Sequence, residues 1–571
     1  MGRVLVFHSD HCLGCRSCEL ACSVAHSESG ELEAAIAEEC PPVRRLVVAQ
    51  ASLPPSRDRE GALADPSRDR EGALAPDGLA ALRCEQCLEP LCAFACKSGA
   101  LRRDPATGRV TLDDARCVAC FMCLAVCPFG IRPDPARDRV VRCDVCGDLA
   151  TPACVASCAT GALSVGSPPD ARPHSDFDGH VVVVGSSAAG IAACESAREH
   201  APECSITLVT TDTSPYSRPL LSYALAGRLQ ADQTDWRGTN YLEHELGVHV
   251  VGGRRAVRLE SGLGALLLDD GEELGFERLI LATGARAAAL TIPGADLRGV
   301  FALRNLEDLE AISEYVGQAL SPARHAIVLG GGNVGLQACE AFLARGLRVT
   351  VIAASPHLLS QMVDAEAGRR LADLFRAHGV EIRTGCDAVE VMGEDGRVAA
   401  VRLNSGELLP ADLVLVAKGI VPNVEWLRGS GIRIGRGIAV DLSGRTNIPG
   451  IFAAGDCAEA PDPLTGRLAL SGIWPVAYEM GRAAGSTAVG IERASAGALR
   501  MNASRFFGDS VVSLGEVRPE RLAGARTEIP VNRDGTYRKL VFHNGRLAGA
   551  LLYGDITGAG AYYRQYRECA T

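Results

Sequence analysis

The residues of this chain with the clearest capacity for chemistry are its cysteines, 23 of them in 571 residues. Sixteen fall into four groups of four before residue 159. The first and third groups follow the spacing C-x2-C-x2-C-x3-C, which is typical of four-iron four-sulfur ferredoxins. Iron in such clusters prefers soft thiolate ligands, so the groups predict four 4Fe-4S clusters. The predicted ligands are Cys12, Cys15, Cys18, Cys22, Cys84, Cys87, Cys92, Cys96, Cys117, Cys120, Cys123, Cys127, Cys143, Cys146, Cys154 and Cys158.

Structural zinc is the alternative use of paired C-x2-C motifs, since zinc ribbons are built from them. Zinc sites rarely have a third and a fourth cysteine at the spacing found in ferredoxins, so iron-sulfur ligation is favoured. Disulfides are disfavoured because the cysteines cluster in short, regular spacings rather than along a small secreted domain. In this region only Cys40 stands outside the four groups.

Two later segments have the strand, glycine-rich turn and helix that bind a dinucleotide. The first has serine at the middle glycine position, and the second is complete. A pyrophosphate would lie against the first turn of each helix, where free N–H groups and the helix dipole favour an anion. The predicted contacts are Gly185, Ser187 and Gly190 in the first segment, and Gly330, Gly332, Asn333 and Gly335 in the second.

Two dinucleotide sites in one chain predict FAD together with NAD(P). Asp212 follows the strand after the first glycine turn and is a candidate to hold the ribose hydroxyls, with a plain surface turn as the alternative. The strand at 347–352 is followed by neither an acidic residue typical of NAD binding nor an arginine for a 2′-phosphate. NAD is favoured slightly, and NADP stays open.

Composition limits the classes of function. The formal net charge is −11 and no basic patch is present, so a nucleic-acid partner is not supported. No apolar stretch approaches the roughly 18 residues of a membrane span. The start MGRVLVFHSDHC lacks the features of a secretory signal, and we therefore expect a cytoplasmic protein without a membrane span.

The cysteine groups give residues 1–165 a specific resemblance. They resemble the four-cluster ferredoxin subunits that accompany molybdenum and tungsten oxidoreductases, formate hydrogenlyase and carbon monoxide dehydrogenase. The resemblance implies electron transfer and a crosswise sharing of ligands between groups. Cys22 and Cys158 would be exchanged between the first and fourth groups, and Cys96 and Cys127 between the second and third.

Residues 178–490 resemble the pyridine nucleotide-disulfide oxidoreductase superfamily. The motifs that carry the resemblance are ATGAR from Ala282 and TNIPGIFAAGD, which ends at Asp456. The segment YSRPLL from Tyr216 and the tail from Asn502 are similar to the nitrite reductase and rubredoxin reductase branch. The resemblance places Trp474 near the flavin, with core packing as the alternative. It implies flavin contacts by Arg218, Pro219, Thr283, Gly284, Gly455 and Asp456.

The chain lacks the reactive cysteines of that superfamily. Members that reduce disulfides carry a C-x4-C pair after the first glycine turn, and others carry a single cysteine near the position of Ser217. Neither is present, so thiolate chemistry on a disulfide or peroxide has no nucleophile. No catalytic side chain is predicted, because the cofactors supply the redox chemistry.

These patterns predict a multidomain chain. An α+β ferredoxin-like four-cluster domain precedes an α/β flavoprotein fold with two dinucleotide-binding domains and a small mixed α/β C-terminal domain. A hairpin turn is predicted at Asn544-Gly545, and the resemblance implies a homodimer contact through the C-terminal domain. The predicted boundaries are 1–165 with a duplicated PSRDREGALA loop at 52–76, a linker at 166–177, FAD binding at 178–295 and 425–490, NAD(P) binding at 296–424, and a C-terminal domain at 495–571.

The predicted function is electron transfer between the clusters and NAD(P) through FAD. The resemblance implies the nicotinamide-linked arm of a larger enzyme, such as carbon monoxide dehydrogenase or a tungsten aldehyde oxidoreductase. Its partner would be a catalytic redox subunit or a ferredoxin-type carrier. The alternatives are a stand-alone flavin reductase of a small oxidant, disfavoured by the missing cysteine, and a non-enzymatic electron-storage scaffold, disfavoured by the intact second glycine turn.

Overall fold

A computed structural model describes residues 3–40, 42–50, 79–104, 107–147, 149–166, 173–212, 214–237, 240–317 and 325–568. The duplicated loop at 52–76 and half of the linker lie outside these ranges. The chain divides into two compact units, residues 1–171 with 557–564, and residues 172–556 with 565–571. Among the described residues, no helix combines the length and the apolar character needed to cross a bilayer.

The first unit consists of short elements joined by cysteine-bearing turns. Its described strands are β1 (Val4–Phe7), β2 (Val47–Gln50), β3 (Leu79–Leu82), β4 (Leu101–Arg103), β5 (Val110–Leu112), β6 (Arg132–Asp134), β7 (Arg139–Val141) and β8 (Leu163–Gly166). They form antiparallel pairs, β1 with β8, β2 with β3, β4 with β5 and β6 with β7. Its helices are α1 (Ser17–Ala25), α2 (Leu32–Ile36), α3 (Leu91–Phe94), α4 (Met122–Val126) and α5 (Ala153–Ala156).

Cysteine side chains form part of the interior of the first unit. Leu5, Leu46 and Leu163 are buried against one another and against several of the predicted ligands. Strands of three or four residues bury little apolar surface by themselves, and small domains of this kind commonly depend on metal for their stability. The thiols in this cluster are Cys18, Cys22, Cys84, Cys143 and Cys154.

The second unit contains two five-stranded parallel sheets with helices against them. Its first part comprises β9 (His180–Val184), α6 (Ala188–His200), β10 (Ser205–Thr210), α7 (Leu221–Leu225), β11 (His249–Gly252), β12 (Ala256–Glu260), β13 (Ala265–Leu268), β14 (Glu273–Gly275), β15 (Arg278–Leu281) and β16 (Ala285–Ala287). The next part comprises β17 (Val300–Phe301), α8 (Leu306–Gly317), β18 (His325–Leu329), α9 (Asn333–Ala344), β19 (Arg348–Ala353), α10 (Ala365–Ala377), β20 (Glu381–Thr384), β21 (Ala388–Glu394), β22 (Arg397–Leu403), β23 (Leu408–Pro410), β24 (Leu413–Val416) and β25 (Ile420–Pro422).

The chain then returns to the first sheet. This segment comprises β26 (Ile438–Ala439), β27 (Ile451–Ala453), β28 (Ala458–Pro461), β29 (Leu468–Leu470) and α11 (Trp474–Ala488). The strand order is β11-β10-β9-β15-β27 in the first sheet and β17-β24-β18-β19-β20 in the second. The central strands β9 and β18 are almost wholly buried, as apolar runs in parallel sheets covered on both faces are.

An antiparallel sheet follows, made of β30 (Met501–Phe506), β31 (Asp509–Gly515), β32 (Arg526–Arg533), β33 (Thr536–His543) and β34 (Arg546–Tyr553), before a final helix, α12 (Ala559–Glu568). Its order is β30-β31-β34-β33-β32. The predicted two-residue turn is confirmed, because Asn544 and Gly545 have φ values of 51° and 75° between paired strands. Asp364 before α10 accepts hydrogen bonds from Tyr537 at 2.8 Å and Lys539 at 3.0 Å, which attaches this sheet to the second parallel-sheet part.

Helices α6 and α11 approach each other closely because α11 carries glycine at two contact positions. A Cβ atom on Gly481 would lie 2.1 Å from the carbonyl oxygen of Ala189, and one on Gly485 would lie 2.2 Å from that of Ala193. Neither distance is compatible with a side chain. The contact holds α6, which follows the first glycine turn, against the first parallel sheet.

We predict that Gly485→Val destabilises the second unit by about 1–3 kcal/mol, because the new side chain must push the two helices apart. Urea unfolding followed by tryptophan fluorescence measures this unit alone, since Trp236, Trp426 and Trp474 all lie in it. Gly317→Ala is the matched control, because a Cβ there meets no described atom within 4 Å. Equal unfolding midpoints for the two variants would contradict the packing account.

Candidate functional site

The cysteine turns of the first unit share one backbone feature. In each of the four groups, the residue just before the second cysteine has a positive φ, at 68° for Gly14, 49° for Gln86, 49° for Ala119 and 58° for Val145. A β-branched residue such as Val145 rarely adopts this conformation. Such strained positions persist where the surrounding structure requires them, and they are concentrated at functional sites.

The turns bring predicted ligands from different groups close to one another. Burial, with the thiols of Cys84 and Cys127 nearby, raises the pKa of Cys87 to about 12. Burial likewise raises the pKa of Cys154 to about 12, with Cys22 among the neighbouring thiols. These neighbours agree with the crosswise sharing, which predicts the sets Cys12, Cys15, Cys18 and Cys158; Cys22, Cys143, Cys146 and Cys154; Cys84, Cys87, Cys92 and Cys127; and Cys96, Cys117, Cys120 and Cys123. Cys84 also neighbours Cys143, and Cys92 neighbours Cys123, so the division into four sets stays a prediction.

These sets have the chemistry that an iron-sulfur cluster requires. Each supplies four sulfur atoms, and burial disfavours the ionisation of thiols such as Cys92 and Cys123 unless positive charge such as iron compensates it. Backbone N–H groups donate to sulfur at 3.3 Å, from Leu101 to Cys96 and from Arg45 to Cys22. The set that includes Cys96 lines a small cavity together with Phe121. The residues present therefore fit 4Fe-4S clusters.

In the second unit, a cavity of about 500 Å³ lies at the carboxyl ends of β9, β10, β15 and β27. Ligands in parallel α/β sheets bind at this edge. Trp474, which is 9% exposed, also lines the cavity. The predicted site residues on its wall are Gly185, Ser187, Asp212, Arg218, Pro219, Thr283, Gly284, Gly455 and Asp456.

The first glycine turn is shaped by contacts that exclude side chains. Gly185 has a φ of 112°, and a Cβ on it would lie 2.2 Å from the carbonyl oxygen of Ala282. Gly190 is not on the cavity wall, but a Cβ there would lie 1.8 Å from the carbonyl oxygen of Gly185. The two glycines thus let α6 begin directly behind the turn, with the first turn of the helix directed at the cavity.

Ion pairs lie at the places where a flavin nucleotide would be held. Arg218 Nη2 is 3.1 Å from Asp212 Oδ2, and Arg304 Nη2 is 2.7 Å from Asp456 Oδ2. Arginine beside an acidic ribose contact suits a pyrophosphate with adjacent hydroxyl groups. The structure therefore places Asp212 on the cavity wall, and its contact with the ribose stays a prediction.

Several wall residues carry no motif that reveals them in the sequence, including Arg254, Arg255, Arg304, Asn423 and Trp426. The sequence gives a partial indication for Arg254 and Arg255, because they follow strand β11 in the same way that Asp212 follows strand β10. Because neighbouring parallel strands end at the same edge, residues after β11 are expected to reach the cavity. Arg304 has no such signal.

The second glycine turn lies between β18 and α9, outside the cavity. Gly330 has a φ of 130°, and a Cβ on it would lie 2.3 Å from the carbonyl oxygen of Ala417. A Cβ on Gly332 would meet no described atom within 4 Å, which leaves the first turn of α9 open to an anion. Asn333 accepts a hydrogen bond from the Ser504 hydroxyl at 2.8 Å, so β30 helps to position this turn.

Comparison with protein-family models gives three matches. Residues 179–481 match the pyridine nucleotide-disulphide oxidoreductase family. Residues 79–168 match a 4Fe-4S dicluster domain. Residues 501–565 match the rubredoxin NAD+ reductase C-terminal domain.

Characterised relatives cover mainly the second unit. The chain is 32% identical over 390 residues to subunit epsilon of the NADH-dependent phenylglyoxylate dehydrogenase of Aromatoleum evansii, covering 66% of this chain and 89% of that protein. It is 31% identical over 378 residues to the nitrite reductase [NAD(P)H] of Bacillus subtilis, covering 66% of this chain. The chain spans only 45% of the length of that nitrite reductase.

Solved structures show the same fold. A ferredoxin reductase from Rhodopseudomonas palustris matches with a TM-score of 0.61 and 26% identity, over 66% of this chain and 91% of the reductase. An NAD-dependent persulfide reductase from A. fulgidus matches with a TM-score of 0.64 and 27% identity, over 68% of this chain and 77% of that protein.

We predict that Asp456→Ala weakens FAD binding about tenfold to a hundredfold. The change removes hydrogen bonds to a charged group, which are worth about 1.5–3 kcal/mol, and leaves Arg304 without its carboxylate. Titration of the flavin-depleted protein with FAD, followed by fluorescence quenching, measures the effect. Asp296→Ala is the control, since Asp296 is exposed and lies off the cavity wall. Unchanged FAD affinity in Asp456→Ala would remove this residue from the site.

Proposed function

Because the chain belongs to the pyridine nucleotide-disulphide oxidoreductase family, we propose that it passes electrons between NAD(P)H and four 4Fe-4S clusters by way of FAD. The chain is an NAD(P)-linked oxidoreductase with an iron-sulfur domain. One observation carries the finer proposal. Buried thiols from different cysteine groups neighbour one another in the same chain as a cavity lined by the first glycine turn.

In the first unit, the proposed role of the cysteines is ligation. Each set draws its thiols from two of the sequence groups, so that Cys158 joins the set of Cys12 and Cys127 joins that of Cys84. Each group has a turn residue with positive φ before its second cysteine, and backbone N–H groups donate to the sulfur atoms of Cys96 and Cys22. Such hydrogen bonds and the degree of burial set the reduction potential of a cluster.

In the second unit, the proposed role of the side chains is to hold and orient the nucleotides. A bound flavin exchanges a hydride on one side and single electrons on the other, which neither a nicotinamide nor a cluster does alone. Asp212 and Asp456 accept from ribose or ribityl hydroxyls, while the arginines on the wall balance the pyrophosphate charge. The open first turn of α9 receives the pyrophosphate of NAD(P).

The absence of a reactive thiol from the described cavity wall supports electron transfer rather than thiol chemistry. Ser217 is fully buried and occupies the position near which single-cysteine relatives carry their thiol. Burial raises the pKa of Cys457, beside Asp456, above its ordinary value, which keeps this sulfur a thiol at neutral pH. We therefore propose that the cofactors, and no thiol, carry out the redox chemistry.

The proposed partner is a catalytic redox subunit or a ferredoxin-type electron carrier. One relative that aligns over 89% of its length is named as a subunit of an NADH-dependent dehydrogenase, and another is named a rubredoxin reductase. Both names describe proteins that exchange electrons with another polypeptide. We propose that this chain is likewise the nicotinamide-linked arm of a larger redox system.

The central experiment is anaerobic reduction of the purified full-length protein by NADH and, separately, by NADPH. Flavin absorbance and cluster EPR are recorded together. We predict that NADH bleaches the flavin and that cluster signals then appear, because the hydride is divided into single electrons. Dithionite is the control for intact clusters. If dithionite develops the cluster signals but neither nucleotide bleaches a fully loaded flavin, the proposed function is wrong.

Ligand assignment is tested by iron content. Four clusters correspond to about sixteen iron atoms per chain, and we predict that Cys92→Ala lowers the content to about twelve. Cys40→Ala is the matched control, since Cys40 lies in the same unit but belongs to none of the four sets. An unchanged iron content in Cys92→Ala, or an equal loss in both variants, would contradict the assignment.

A further inference from the structure

Arg142 is a buried cation that contacts Cys84 and Cys143. It follows β7 directly, precedes Cys143 in the chain and is 6% exposed. Its Nη1 atom donates to the carbonyl oxygen of Cys143 at 2.7 Å and lies 3.8 Å from Cys84 Sγ. The guanidinium therefore lies beside the thiol of Cys84 and the backbone carbonyl of Cys143.

Arg142 has no acidic partner among the residues that the structure describes. Its Nε atom is buried without a hydrogen-bond partner there. Arg83, which is equally buried in the same unit, differs in having Glu85 Oε1 at 2.8 Å from its Nη1 and the Leu5 carbonyl as a further acceptor. A buried charge is unfavourable unless an opposite charge compensates it. The compensating charge for Arg142 must therefore come from its surroundings.

Among the described residues, the recorded neighbours of Arg142 that can carry negative charge are thiols. Cys84 Sγ lies 3.8 Å from Arg142 Nη1, and the positive charge of Arg142 also acts on Cys92. Both residues belong to the set of Cys84, Cys87, Cys92 and Cys127. Arginine stays protonated at all accessible pH values, so the cation is permanent.

We propose that Arg142 is the counter-charge of the cluster at Cys84, Cys87, Cys92 and Cys127 and raises its reduction potential. The inference rests on the proposed function, in which this set holds a 4Fe-4S cluster. Reduction adds one electron and hence one negative charge to the site, with no proton moved by Arg142. A nearby cation in a buried environment stabilises the more negative, reduced state. The side chain thus favours residence of the electron at this cluster.

The test is an EPR-monitored redox titration of the full-length protein, poised chemically with dithionite and mediators. Arg142→Met removes the charge and keeps most of the side-chain length, while Arg142→Gln also keeps an N–H donor for the Cys143 carbonyl. The signal of this cluster is the one that Cys92→Ala lacks. At a fixed potential, we expect the ratio of reduced to oxidised cluster to fall at least tenfold in both neutral variants. A tenfold fall corresponds to a decrease of 59 mV in the midpoint potential of a one-electron couple.

Two further variants separate charge from shape. Arg142→Lys keeps the charge and is expected to keep the ratio within tenfold of the unaltered protein. Arg139→Met is the control, because Arg139 lies on the same short segment but is paired with Asp114 and Asp134. It is expected to leave all four signals unchanged. An unchanged midpoint potential in Arg142→Met and Arg142→Gln with full iron content overturns the proposal.

Loss of the cluster itself is also decisive. If both neutral variants lose only this cluster while Arg142→Lys retains it, the charge is needed to hold the cluster and the proposal stands. If Arg142→Lys loses it as well, the role is steric and the proposal falls. The titration does not use a nicotinamide nucleotide, so failure of NAD(P)H to reduce the unaltered protein bears on the proposed function alone.

Discussion

The first unit depends on holding sulfur atoms close together in a buried environment. Burial and neighbouring thiols raise the pKa of Cys92 and Cys123, so these side chains favour the protonated thiol unless iron is bound. Several of these thiols also pack against Leu5 and Leu46 in the interior. Metal ligation and folding are therefore coupled in this unit, as in other small domains whose strands are too short to supply a core.

In the second unit, a large anionic nucleotide must be able to approach the backbone. Glycine at positions 185 and 190 removes side chains that would collide with carbonyl oxygens at the edge of the first sheet. Gly481 and Gly485 then allow α11 to hold α6 in place from the other side. Arg218 and Arg304 on the cavity wall are each paired with a carboxylate.

In both units, arginine side chains lie beside groups that can compensate their charge. On the cavity wall, Arg218 and Arg304 are paired with carboxylates. Arg142 has no such pair among the described residues and faces sulfur instead. The same physical rule, that a desolvated charge needs a compensating partner, accounts for all three positions. It also explains why a permanent cation can influence where an electron resides.

The sequence by itself determined the ligand types, their spacing, the two glycine turns and the hairpin at Asn544-Gly545, because each reflects the conformation of a few adjacent residues. It also indicated Asp212 through its place after a strand. The crosswise sharing of thiols was implied by the family resemblance, whereas only the tertiary structure showed that Arg304 pairs with Asp456 and that Arg142 adjoins Cys84. Spacing alone left those contacts undetermined, because residues far apart in the chain meet only through packing of whole elements.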